Sequence, residues 1–420
     1  MISLKKRSVW VKIILKSMPL LYAFLGRFIS SAGVLGLSVL LSQQLSLEEA
    51  GKFFGAFAAL MGIAIFLRSG QELLLIRKIA QDKDEPESQS SLFMHSLATV
   101  FCLSLVAVII LYAYYFTGEE TPSPLSELWK PILPVTLINL AAAYMKGQGR
   151  SGMGGLYEVG LISMMAFLVF LVAPPTDAHS SWRIFTWVAW ITFLISIGMA
   201  ILRAQPSISA FRPQASLLFE ARHLWAFAVL SYLSQWGGLL VVAALVGSES
   251  VAILNALFRL LAPIQFVIIT LDFFLAPKFS IASGREINRL RNLGIVASLA
   301  IAFPYIGFLL VAPNFVLWNV FGADYAAYST ELRILVVSSF VTMAIGANGI
   351  LLNMCNKEKA VIVGVLGRSL VSVFLTLVLI NYISLTAAVL GFALALVMQN
   401  LFYRIYANYT LTELDEASGA

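Results

Sequence analysis

Apolar residues in this chain run in long unbroken blocks. They do not alternate with polar residues, as the strands of a membrane barrel would. A helix needs about 20 apolar residues to cross a bilayer, and twelve blocks near that length can be drawn. They lie roughly at 18–41, 51–69, 91–116, 131–146, 154–173, 183–202, 223–246, 251–274, 292–312, 332–352, 359–380 and 384–407. The fourth is the shortest. It opens with WKPILPV, where proline near a helix end is tolerated.

The polar connectors differ in charge by turns. With the N-terminus in the cytoplasm, the even loops and both termini hold 20 of the 28 Lys and Arg residues. Among these are Arg77, Lys78, Lys83, Lys146, Arg150, Lys278, Arg285, Arg289, Arg291, Lys357 and Lys359. The odd loops hold four: Lys52, Lys130, Arg183 and Arg333. That asymmetry predicts cytoplasmic termini. It also supports the count of twelve, because one missed helix would scramble the alternation.

The opening MISLKKRSVWVKIILKSM reads as a basic amphipathic lead-in on the cytoplasmic surface, with Trp10 at the interface, rather than as a cleaved signal. RAQPSISAFRPQASLLFEAR, near the midpoint, reads as a linker. The expected organisation is a lead-in at 1–17, a six-helix lobe at 18–205, a cytoplasmic linker at 206–222, a second six-helix lobe at 223–407 and a cytoplasmic tail at 408–420. A shift of 200 residues places Glu49 on Glu249, Glu72 on Asp272 and Lys78 on Lys278. The halves therefore read as a repeat, the usual plan of a transporter with its site between them.

Composition agrees. The chain is 60% hydrophobic and 12% charged, where soluble domains carry about 25% charged residues. The predicted class is an all-α polytopic membrane protein; the resemblance described below implies the bacterial cytoplasmic (inner) membrane as its location. The net charge of +6 reflects loop orientation, and no nucleic-acid partner is implied. Cys102 and Cys355 form no CxxC pair, and His95, His179 and His223 lack metal-ligand spacing. No metal site or cofactor is expected. The absence of GxxxxGK[ST] argues against an ATP-driven pump, and the absence of HExxH and GxSxG against hydrolysis. GQGRSGMGG at 147–155 reads as a hinge-like turn rather than an anion nest. GKFFG at 51–55 reads as close helix packing.

The informative residues are charges inside the blocks. Arg68 lies about 25 Å along the second helix, at the cytoplasmic interface, where its side chain can snorkel. Glu158 and Asp272 lie within about a turn of the same boundary, and Glu72 lies just past it. They are either interfacial or part of an ion-coupling or gating set; the sequence leaves both readings open. Arg27, Arg259 and Arg368 are deeper, each roughly 12 Å or more from its entry point. Facing lipid there would cost on the order of 3 kcal/mol each, so they face protein or a watery cavity. Asp272 cannot neutralise Arg259, because thirteen residues of helix place it nearly opposite and about 20 Å away. Deep cations outnumbering deep anions point to an anionic ligand. Asn255, one turn before Arg259, shares its face. Asn139, Gln235 and Gln265 also sit inside blocks.

The stretch RFISSAGVLGLSVLLSQQLSLEEAGKFFGAFAALMGIAIFLRSGQELLLIRKIAQ, 27–81, and above all its SLEEAGKFF element, resembles the opening of bacterial polysaccharide flippases. These are the Wzx-type O-antigen and exopolysaccharide transporters of the MOP superfamily, which also holds the MATE drug exporters. The resemblance implies twelve helices in two lobes around a V-shaped cavity. It implies movement of an undecaprenyl-pyrophosphate-linked oligosaccharide across the cytoplasmic membrane by alternating access, coupled to an H+ or Na+ gradient. It also implies a polysaccharide polymerase and a chain-length regulator as partners. Arg27, Arg259 and Arg368 match the family's habit of intramembrane cations. Two other classes are alternatives. A MATE-like multidrug exporter would favour deep acids. A membrane polysaccharide polymerase or ligase would carry a large outer loop, which this chain lacks.

Overall fold

The computed structural model describes residues 26, 28–81, 85–117, 123–205, 211–279, 284–355 and 357–419. Arg27 and the lead-in at 1–17 lie outside them. Among the described residues there are helices and no strands. In chain order they are α1 (Phe28–Gln44), α2 (Leu47–Arg68), α3 (Gln71–Gln81), α4 (Pro86–Thr117), α5 (Ile132–Gly147), α6 (Ser151–Leu156), α7 (Val159–Val172) and α8 (Ala178–Ala204). There follow α9 (Ala215–Leu245), α10 (Ser248–Phe279), α11 (Gly284–Val311), α12 (Pro313–Phe321), a 3-10 turn (Ala323–Tyr328), α13 (Ser329–Ile345), α14 (Asn348–Met354) and α15 (Glu358–Gly419).

Nine of the described helical segments are long and apolar enough to cross a membrane, and three shorter apolar helices join them. Together they account for the twelve blocks, and the chain is a multi-pass membrane protein. The polar backbone groups of these spans are satisfied within each helix, which is what lipid demands.

Contacts sort the chain into two compact units. Unit 1 comprises Met1–Leu45 and Ala56–Val229; unit 2 comprises Ser46–Gly55 and Leu230–Ala420. At the heart of unit 1 is α5, with 15 of its 16 residues buried. It is about 24 Å long, short for a lipid-facing span, but its surroundings are protein. Leu137, Leu140 and Tyr144 pack there with Leu75, Phe93 and Leu97. The rings of Phe93 and Tyr144 lie 4.5 Å apart. Ser69 and Gly70, with φ of 49° and 74°, break the chain between α2 and α3. A Cβ on Gly70 would meet the backbone of Trp225 at 2.6 Å, so glycine serves both the turn and the approach. Sequence reading missed α3, an amphipathic helix that buries Leu74, Leu75 and Ile79.

In unit 2 the first half of α10 is buried from Val251 to Leu257. Its start approaches Gly51, where an added Cβ would sit 1.7 Å from the Ser248 carbonyl oxygen. That glycine is there for close packing, as its position suggested. The helical backbone of α15 runs for 62 residues and would be about 93 Å long if straight. Instead it doubles back. Tyr403 Oη donates to the Val361 carbonyl at 2.8 Å, and a Cβ on Gly364 would strike the Tyr403 ring. Its arms are the spans Glu358–Leu379 and Leu385–Thr412.

The match suggested between Glu72 and Asp272 does not extend to local structure. Glu72 opens the separate helix α3 after the Ser69–Gly70 break, whereas α10 continues unbroken through Asp272 to Phe279.

Candidate functional site

The deep cations of unit 2 converge on one aromatic cluster. Arg259, on α10, holds its guanidinium carbon 5.6 Å from the Trp236 ring centroid on α9. Trp236 meets Phe258 edge-on at 6.4 Å, and Phe258 meets Phe392 at 4.8 Å. Arg368, on the first arm of α15, lies 4.8 Å from the Phe392 ring centroid. Two arginines from different helices thus flank a run of three rings. Asn255, one turn before Arg259, is 2% exposed.

A ring face attracts a cation through its quadrupole but carries no compensating charge. Arg368 Nη1 also reaches Gln399 Oε1 at 3.5 Å, and its buried Nε has no hydrogen-bond partner among the described residues. No described carboxylate forms an ion pair with Arg368. Rings and an amide therefore stand where an acid would otherwise neutralise this guanidinium. A guanidinium in that setting, with donors in a planar fork, is suited to a phosphate-type oxyanion.

The other expected residues lie elsewhere. Arg27 is outside the described residues. Arg68 does not simply snorkel: it is buried, with Nε 2.7 Å from Glu72. Glu158, at the start of α7, pairs with Lys146. Asn139 Nδ2 donates to Val135 in its own helix at 2.9 Å, a structural use. Asp272 is half-buried and lines a cavity of about 180 Å³ with Ser298, Thr342, Asn348 and Asn400. In the glycine-rich turn, Gly149 has φ of 76° with open space around it, consistent with a turn. Sequence reading did not single out Trp236, Phe258, Phe392, Gln399 or Asn348. Aromatic residues are common in membrane spans, and nothing local marks these as partners of the arginines.

Comparison with solved structures places the architecture. The chain is similar to the lipid II flippase MurJ in an inward closed conformation, with TM-score 0.72 and 12% identity over 92% of this chain and 87% of that one. It has the MATE and MurJ fold. A MATE in complex with MaL6 aligns at TM-score 0.59 and 14% identity, over 95% of this chain and 97% of that one. A MOP-superfamily transporter from Pyrococcus furiosus, with a binding pocket of reverse polarity that suggests a different function, aligns at TM-score 0.59 and 15% identity over 95% of each chain. No protein-family model matches the sequence, and no curated protein does. At these identities the MATE and MurJ fold is what the chain shares with them.

Proposed function

We propose that this protein is a transporter of the flippase type. It carries an undecaprenyl-pyrophosphate-linked oligosaccharide, an O-antigen or exopolysaccharide repeat unit, from the inner to the outer leaflet of the bacterial cytoplasmic membrane. Movement is by alternating access, with the two six-helix lobes as the moving parts and an H+ or Na+ gradient as the drive. A polymerase and a chain-length regulator act on the delivered unit. The observation that carries this reading is the placing of Arg259 and Arg368 at the two ends of one aromatic cluster. Guanidinium groups supply charge and hydrogen bonds to pyrophosphate, and aromatic faces supply apolar surface to sugar rings. The likeness to MurJ, a lipid II flippase, supports the substrate class.

The test is a strain lacking this gene. Loss of surface glycan, with complete lipid-linked repeat units accumulating on the inner leaflet, is the expected result. Normal glycan with heightened sensitivity to cationic drugs would replace this reading with a MATE-like exporter, for which the half-buried Asp272 is the relevant feature.

A further inference from the structure

A second pair of arginines in unit 2 meets no acid. Arg291, near the start of α11, is 6% exposed, and Arg404, on the second arm of α15, is half-buried. No described carboxylate forms an ion pair with either. Arg404 is near enough for its charge to act on that of Arg291. Two like charges brought together out of water repel, and each loses hydration. A bound anion would offset both costs.

The hydrogen bonds around the pair consume acceptors and leave donors. Arg291 Nη1 donates to Asn408 Oδ1 at 2.8 Å, and its Nη2 to Asn288 Oδ1 at 2.6 Å. Those bonds fix both amides with the oxygen turned to Arg291. The Nδ2 of each keeps its donors, with no partner among the described residues. Arg291 Nε is buried and has no hydrogen-bond partner among them either. Arg404 spends Nη1 on the Ile345 carbonyl at 3.0 Å and keeps the rest of its fork. The cluster therefore offers N–H groups and positive charge, while its side-chain oxygens are already used. Its complement is an oxyanion, which carries negative charge and only accepts.

The position of the cluster suits a lipid phosphate. Asn288 and Arg291 are three residues apart on α11, and Arg404 and Asn408 four apart on α15, so each pair shares a helix face. The spans Glu286–Val311 and Leu385–Thr412 count 26 and 28 residues. At 1.5 Å per residue they are about 39 and 42 Å long, against a hydrocarbon core of about 30 Å. Their ends therefore run through the headgroup layer. Arg291 lies about 7.5 Å and Asn408 about 6 Å from the end of its own span, where that layer meets the hydrocarbon. Leu293 and Val296 on α11, and Leu401 and Ile405 on α15, are exposed, so both helices also offer apolar surface to acyl chains.

We propose that Arg291, Arg404, Asn288 and Asn408 form a binding site for a phosphate-type oxyanion, supplied by the headgroup of an anionic phospholipid or by free phosphate. Basic pockets between membrane helices hold lipid headgroups in this way. The site shares no residue with the Arg259 and Arg368 cluster and does not depend on the substrate proposed above.

The experiment is native mass spectrometry of the purified full-length protein titrated with phosphatidylglycerol or phosphatidylcholine, alongside equilibrium binding of radiolabelled inorganic phosphate. Saturable retention of phosphatidylglycerol in preference to phosphatidylcholine is expected and identifies a lipid source. Saturable phosphate binding without that preference supports the site with a soluble source. Asn408→Asp keeps the oxygen that Arg291 uses and sets a carboxylate beside the pair. It should weaken binding at least about tenfold while the melting temperature holds or rises, an outcome that a purely structural role for Asn408 would not give. Arg404→Gln should weaken binding too and serves as the test variant if Asn408→Asp does not fold. Arg259→Gln combined with Arg368→Gln should bind as the wild type does. No saturable binding of either probe, undiminished binding in the Asn408 and Arg404 variants, or loss of binding in the Arg259 and Arg368 double variant overturns the site.

Discussion

Cations in the two units are held in different ways. In unit 1 four of them meet carboxylates, Arg68 with Glu72, Lys78 with Glu220, Lys130 with Glu127 and Lys146 with Glu158, while Arg222 at its edge rests on Phe219. In unit 2, Lys52 pairs with Glu48 and Glu49, close to the start of α2. Further along, Arg368, Arg291 and Arg404 meet neutral groups. Arg368 has Phe392 and Gln399, Arg291 bonds Asn288 and Asn408, and Arg404 donates to the Ile345 carbonyl at 3.0 Å. Arg259 lies over Trp236. A carboxylate cancels the field of a cation. A ring or an amide solvates the cation and leaves its field in place. On the function proposed above, the first kind of charge builds the fold and the second is available to a ligand.

The sharpest way to break this comparison is in unit 2. Replacing Arg259 and Arg368 together by Gln should reduce transport at least tenfold, equivalent to about 1.4 kcal/mol, while the protein still purifies as a folded species. The inner-leaflet pool of lipid-linked repeat units reads the first effect, and size-exclusion chromatography reads the second. Full transport would show that these cations have no ligand role.

Unit 1 should behave in the opposite sense. Glu72→Gln leaves a buried guanidinium without its acid and should cost about 2 kcal/mol, less than breaking a fully buried pair because Glu72 is partly exposed. The measurement is thermal unfolding in detergent. Replacing both partners with apolar residues should restore most of the loss, since the stranded charge is then gone.

A smaller effect is expected at Asp177. It caps α8 by accepting the Ser180 N–H at 2.7 Å, and Ser180 returns a bond to the cap backbone. Asp177→Ala should cost about 1 kcal/mol. The Ser180 N–H also holds the Asp177 carboxyl below its ordinary range. Its share of stability is therefore present above the usual carboxylate pKa, about 3.9, and is lost as pH falls through the lowered folded value. Melting temperature against pH should flatten at the acid end in Asp177→Asn. The smallest effect belongs to Lys78→Ala. Its pair with Glu220 is largely solvated and should contribute no more than about 0.5 kcal/mol.

Span number and type were legible because lipid imposes a length and a continuous apolar pattern. Departures occur where that constraint ends. QELLLIRKIAQ forms α3, but its polar residues keep it below the threshold for a span, and it buries one face against protein. PNFVLWNVF, between the ninth and tenth blocks, forms α12, apolar but at nine residues too short to span. At the candidate site, depth could be read from position along a helix, so Arg259 and Arg368 stood out. Their shared surroundings could not be read, because Trp236, Phe258 and Phe392 come from three helices brought together only by packing. Asn348 was illegible for a different reason. An asparagine near a glycine reads as a turn, and only coordinates distinguish an amide with a spare acceptor from one fully used.

The reversal within α15 has a consequence for biosynthesis. Gly364 on the first arm receives the ring of Tyr403 on the second. While the ribosome is still making the second arm, the first must wait in or beside the membrane with that groove unfilled. The contact closes only after Tyr403 has been synthesised and inserted, so the hairpin is completed as a pair late in translation. A bulkier residue at position 364 would therefore act on assembly, and would lower the yield of inserted protein before any defect in transport could be measured.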